Sequence, residues 1–171
     1  MSIQSIAIRG ELPEDAACLD SLALTVFGPG MRARAAYFLR EGVEHELDLS
    51  FVVEKEGKPV GTVRLTKVFW GDQTVLMLGP LAVLPEYKGR GAGKLLMQKA
   101  VEEAREKAVQ GGCPAILLVG DLAYYQPFGF QRIPPANISL PRPADPMRVL
   151  ACELVAGSLG SLSGSVTRFN A

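Results

Sequence analysis

Apolar and polar positions change period several times along the chain, and each change predicts an element. Residues 3–9 alternate, with Ile3, Ile6 and Ile8 set among Gln4, Ser5 and Arg9, which predicts a short first strand. Pro13-Glu14-Asp15 marks a helix start. Cys18, Leu19, Leu22 and Val26 then recur at three- and four-residue spacing until Gly28-Pro29-Gly30 stops the pattern. A second helix is predicted over Met31–Arg40, ending at Gly42. Its Arg32, Arg34 and Arg40 read either as a solvated basic face or as the border of a substrate entrance. Leu49–Glu54 and Pro59–Val68 are predicted strands joined by a turn at Lys55–Lys58, and Thr74–Val83 follows as the third strand of an antiparallel meander.

Further on, Met97, Val101, Ala104 and Ala108 mark the buried stripe of a helix from Gly91 to Val109, with Glu102, Glu103, Arg105, Glu106 and Lys107 on its wet side. Ala115–Val119 is an uninterrupted apolar run, the pattern of a strand buried on both faces. A short helix is predicted over Leu122–Gln126, closed by Pro127-Phe128-Gly129-Phe130. After the prolines at 134, 135, 141, 143 and 146, Met147–Val155 reads as a last strand. Residues 1–155 are therefore expected to form one domain. Residues 156–171, rich in glycine and serine, are expected to be a loosely ordered tail.

The stretch from Leu78 to Lys94 organises this pattern. A strand runs through Pro80 and Pro85 into a glycine-rich turn, where Gly89, Gly91 and Gly93 alternate with Arg90 and Ala92, and then opens the long helix. Strand, glycine loop and helix N-terminus together present bare backbone N–H groups to a phosphate. A nucleoside-triphosphate loop of the Walker type needs Ser or Thr after its lysine, and Lys94 is followed by Leu95. A dinucleotide fingerprint needs GxGxxG on a parallel unit. Here the spacing is GxGxG and a meander precedes it.

Composition narrows the partners. The 171 residues are 48% hydrophobic and 21% charged with zero formal net charge, so no basic excess marks a nucleic-acid binder or a membrane-surface protein. Cys18, Cys113 and Cys152 form no CxxC pair and there is one histidine, His45, which leaves no zinc ligand set. The thiols are expected to be buried and structural, as in a reducing cytoplasm. Met1–Arg9 lacks the basic and long apolar regions of a signal peptide, and no apolar run is long enough to span a membrane.

Lys88-Gly89-Arg90-Gly91-Ala92-Gly93, after Leu81-Ala82-Val83, resembles the acetyl-CoA motif of the GNAT superfamily of N-acetyltransferases. That motif has Gln or Arg, two variable residues, Gly, one variable residue, then Gly or Ala. Gly91 and Gly93 match, and Lys88 stands at the Gln/Arg position. Tyr125-Gln126-Pro127-Phe128-Gly129-Phe130 is similar to the family's later Tyr-x-x-x-Gly-Phe signature. Val119-Gly120-Asp121, the doubled Tyr124-Tyr125 and the proline-rich end resemble a bacterial subgroup of predicted acetyltransferases.

The resemblance implies an α/β (α+β) fold with a mixed, mostly antiparallel sheet flanked by helices, and a bulge and splay between the strands at 74–83 and 115–119. It implies acetyl-CoA as co-substrate. Lys88, Gly89, Arg90, Gly91, Ala92, Gly93 and Lys94 would take the diphosphate, and the strand edge at Leu81, Ala82 and Val83 the pantetheine arm. It implies Tyr125 as the general acid for the leaving thiolate. Tyr124 is the adjacent competitor, about 100° away on a helix. The oxyanion donor would be a backbone N–H near Leu81. The general base is open: Asp121 is the best-positioned carboxylate, and a turn or N-cap role fits it equally. His45, among Glu44, Glu46 and Asp48, is expected to be exposed.

The expected activity is direct acetyl transfer to a primary amine of a small molecule or peptide, with no metal. The alternatives are a longer acyl-CoA, a protein substrate, or a non-catalytic acyl-CoA sensor. Many family members pair as homodimers, and no apolar stripe in this sequence decides that for this chain.

Overall fold

The structure, a computed structural model, describes residues 6–170. The first strand predicted at 3–9 lies partly outside those residues, and β1 is described over Ala7–Gly10. The helix started by Pro13 is α1, Ala16–Phe27. The second helix is shorter than predicted: Pro29–Ala33 is a 3-10 turn and only Ala35–Arg40 is helical, as α2. The meander follows as β2 (Phe51–Lys55), β3 (Lys58–Trp70) and β4 (Gln73–Val83). Then come α3 (Ala92–Val109), β5 (Ala115–Val119), α4 (Leu122–Tyr125), β6 (Phe130–Arg132), β7 (Ile138–Ser139), β8 (Val149–Glu153) and β9 (Gly164–Arg168).

The main sheet runs β1-β2-β3-β4-β5-β8-β6. Along it, only β4 and β5 pair in parallel. Alternation along the central strands sends neighbouring residues to opposite faces. Leu76, Leu78, Ile116 and Leu118 pack with Leu96, Met97, Ala100 and Ala104 of α3. Val75, Met77, Ala115 and Leu117 pack on the other face with Leu39 of α2 and Trp70. Leu19, Leu22 and Ala23 of α1 cover Val52 and Ala82 there. All four residues of the predicted α3 stripe are buried. Leu96 is inaccessible to solvent, and its truncation to Ala costs about 2–5 kcal/mol by the usual cavity penalty.

The Gly- and Ser-rich tail departs from expectation. Its β9 pairs antiparallel with the far end of β3, Trp70 opposite Val166 and Phe69 opposite Thr167. Leu162 and Val166 are buried beside Trp70. The composition signals flexibility, but β2 covers only the first half of β3 and leaves the second half an edge for these residues to pair. No helix among the described residues is long and apolar enough to cross a membrane.

Candidate active site

The site begins as a disturbance in β4. Val63 pairs with Leu81 and Leu65 with Leu78, so Gly79 and Pro80 stand opposite Arg64 alone, a β-bulge. Gly79 has φ of 146°, a region that disfavours any side chain, which explains glycine there. β4 and β5 pair only at Leu76–Ile116 and Met77–Leu117. Beyond those pairs the strands part, and the expected splay opens between Leu78–Val83 and Leu118–Val119. The Leu84 N–H donates to Val60 O at 2.9 Å. By the two-residue period of a strand, Ala82 likewise faces β3, while the backbone of Leu81 and Val83 faces the gap.

The glycine loop lies at the end of this free edge. Gly91 precedes α3 in the left-handed conformation, φ 85°, and no side chain caps the helix. Among the described residues, no amide from Gly89 to Lys94 donates to a protein acceptor. The first turn of α3 therefore offers bare N–H groups and the positive end of its dipole. Gly93 has a further reason to lack a side chain, because a Cβ there would lie 2.6 Å from the Tyr124 hydroxyl.

A crevice of about 610 Å³ opens at the splay, lined by the bulge, Leu81, Gly120, Asp121, Tyr124, Tyr125 and Arg148 from one side and Arg34, Tyr37 and Arg40 from the other. Tyr125 is wedged between Tyr124 (4.8 Å, edge to face) and Phe130 (5.8 Å). Its ring occupies the space over Gly120, where a Cβ would meet it at 2.5 Å. Burial, with a smaller contribution from Tyr124, pushes the Tyr125 hydroxyl up to about 12. Asp121 stands at the N-cap position of α4, but its side chain makes no capping hydrogen bond. The carboxylate is largely exposed, 3.9 Å from Arg148.

The second helix answers to both readings, since Arg32 and Arg34 are exposed and all three arginines line crevices at the bulge. Arg40 is partly buried and lines both this crevice and an adjoining one of about 480 Å³, shared through Met31, Tyr37, Gly79 and Pro80. The adjoining crevice also reaches His45 and Arg64. His45 is not free as expected: its Nε2 bonds Glu11 Oε1 at 2.8 Å. Arg64 grips the same carboxylate with two nitrogens at 2.8 and 3.1 Å and Asp20 with a third at 2.8 Å. The Glu11 side chain is wholly buried. Burial alone would raise its carboxyl, but His45 and Arg64 hold it below the usual range. The cysteine expectation needs one correction, since Cys18 is exposed. None of the three cysteines lines either crevice.

Residues 17–130 match the model of the acetyltransferase (GNAT) family. The chain belongs to this family. It is 31% identical over 121 residues to the uncharacterized N-acetyltransferase YjhQ of Escherichia coli, spanning 68% of this chain and 65% of that protein. The crystal structure of the GNAT family N-acetyltransferase YhbS from Escherichia coli, in complex with CoA, superposes with a TM-score of 0.80 at 25% identity, covering 99% of this chain and 92% of that one. A GNAT family acetyltransferase from Brucella melitensis, in complex with acetyl-CoA, gives 0.53 at 28% identity over 86% and 96% of the two chains.

Sequence reading missed Glu11 and left the place of Arg40 undecided. Glu11 follows a strand and precedes a turn, with no spacing that marks it. Arg40 had one available signal, its place directly after Leu39 in an otherwise apolar turn of helix.

Proposed function

We propose that this chain transfers an acetyl group from acetyl-CoA directly to a primary amine of a small molecule or peptide. One observation carries the reading: the unpaired strand edge at Leu81 opens on the crevice that holds Tyr124 and Tyr125, and the uncapped glycine-loop helix start adjoins it where Gly93 packs against the Tyr124 hydroxyl. A free edge suits the amides of a pantetheine arm, which can pair as another strand would. The bare amides of Gly89–Lys94 suit a diphosphate. When bound, acetyl-CoA supplies an activated acyl carbon.

The protein supplies orientation and protons. The Leu81 N–H is the proposed donor to the acyl oxygen. The Tyr125 hydroxyl keeps its proton at neutral pH and donates it to the departing sulfur. An alkylamine with a pKa of about 10.4 must lose a proton before it attacks. Asp121, open to solvent at the same mouth, is the proposed acceptor for that proton. The amine nitrogen gains the acyl group, the sulfur leaves as thiol, and no redox step is involved.

The test is acetylation of an amine panel, with free thiol and N-acetyl product both measured. Product that depends on acetyl-CoA, and falls strongly in Tyr125→Phe while CoA still raises the melting temperature, is the expected result. CoA binding with no product from any amine would favour the sensor reading. Stabilisation by ATP or NAD but not by CoA would overturn both.

A further inference from the structure

We propose that the amine acceptor carries an oxyanion, a carboxylate or a phosphate, and that Arg40 is the group that holds it. This rests on the acetyl-transfer reading and names the substrate class of the same cleft. Arg40 ends α2 and lines both crevices beside the bulge. Its guanidinium carbon lies 3.8 Å from where a Gly79 side chain would begin. Its Nε donates to Ala36 O at 3.1 Å. Among the described residues, neither terminal nitrogen has a protein acceptor and no carboxylate pairs with it. The Tyr37 ring lies 5.9 Å from the guanidinium carbon.

Four other arginines of the fold are satisfied. Arg64 is saturated by Glu11 and Asp20, and Arg9 is paired with Asp15 and Glu54. Arg168 donates to Phe38 O and Arg105 to Glu153 O. A cation withdrawn from water without a partner is costly, and a bound anion removes that cost. Burial and the nearby charge of Arg64 lower Arg40 to about 10, so the guanidinium stays charged at neutral pH and ready to pair.

The charges facing this crevice favour an anion at its bulge end. Arg34, stacked on Phe27 at 5.7 Å, lines the same side as Arg40 and also pairs with no carboxylate among the described residues. The crevice also carries two acids, Asp121 3.9 Å from Arg148 and Asp145 accepting from the Met147 N–H, against the three cations Arg34, Arg40 and Arg148. A guanidinium fork accepts two oxygens of one carboxylate or phosphate side by side. Held there, the anionic end of a small molecule would rest against Gly79 and Pro80, with its amine free to extend toward Leu81 and Tyr125.

The test pairs matched amines: β-alanine with its amide, and O-phosphoethanolamine with ethanolamine. The wild type is expected to show a kcat/KM higher by roughly 10- to 100-fold for the anionic member of at least one pair. The pair that shows it separates carboxylate from phosphate. Arg40→Gln should bring that ratio close to one through KM, and Arg40→Lys should restore part of it. An unchanged melting-temperature rise with CoA verifies that the variants fold. Independently of turnover, the Arg40 Nε–H NMR signal, assigned by its loss in Arg40→Gln, should shift saturably with acetate or inorganic phosphate and not with acetamide. Equal use of charged and neutral amines, or a signal blind to both anions, overturns the proposal. A signal that responds to anions in a protein that acetylates nothing leaves the anion site standing and removes the transfer reading.

Discussion

On the proposed donor side, Gly89–Lys94 and the outer edge of Leu81–Val83 offer backbone groups from one continuous stretch. On the proposed acceptor side, Arg40, His45 and Arg64 bring side chains together from three separate segments. The donor side depends on what is missing, namely side chains at the glycines, a cap on α3, and a neighbour strand beyond Met77. The acceptor side depends on what is filled, with Glu11 buried beneath His45 and Arg64 to hold that wall in place. A site made of backbone can bind one invariant cofactor in many relatives. A site made of side chains can be rewritten for each acceptor. The difference assigns separate consequences to substitutions on the two sides.

The largest expected effect lies where the two sides meet. Tyr125→Phe should lower kcat by about 10²–10⁴-fold with the CoA dissociation constant unchanged, as measured by initial rates and calorimetry. Loss of CoA binding in that variant would make Tyr125 part of the donor side instead. Because burial holds the Tyr125 proton to about 12, kcat should fall on the acid side, as the amine protonates, and stay level on the alkaline side up to about pH 10. A basic limb near pH 8 that disappears in Tyr125→Phe would contradict the assignment.

Glu11→Gln should strike the acceptor wall through stability, by about 3 kcal/mol, because it leaves a gripped, half-hidden guanidinium without its counter-charge. The Glu11 carboxyl is lowered in the folded protein, so its stabilisation is present above its ordinary value of 4.5 and is lost as pH falls through the depressed one. Thermal melts should therefore show a shallower acid limb in Glu11→Gln than in the wild type. Gly91→Val, at φ of 85°, should weaken CoA roughly tenfold by distorting the loop, with KM for the amine little changed. Lys88→Ala should be the smallest change, less than about threefold in CoA affinity, because that exposed side of the loop acts through its main chain.

The same contrast governs how far the sequence could be read. β2 to β4, α3, β5 and the glycine loop follow from local periodicity and from glycine and proline, whose effects are felt within a few residues. The splay was legible from Pro80 and Pro85 together with the family resemblance, and the pairing of β4 with β5, limited to two residue pairs, bears it out. The acceptor side was not legible, because its meaning is long-range. His45 in a charged run looked solvated until the fold brought Glu11, 34 residues away, under its ring. The tail looked loose because glycine and serine dominate it, while Leu162 and Val166 bury only because β3 leaves half an edge open. Pro29–Ala33 turned out as a 3-10 turn for a local reason, since Gly28, Pro29 and Gly30 delay the helix past its predicted start.

The division of labour across the cleft can be read in one titration. In ¹H–¹⁵N spectra of the full chain, CoA should shift the amides of Gly89–Lys94, Leu81 and Val83 saturably, with the Arg40 Nε–H signal and the Glu11, His45 and Arg64 amides left in place. Shifts concentrated on Arg40, His45 and Arg64, with the glycine-loop amides unmoved, would contradict the account.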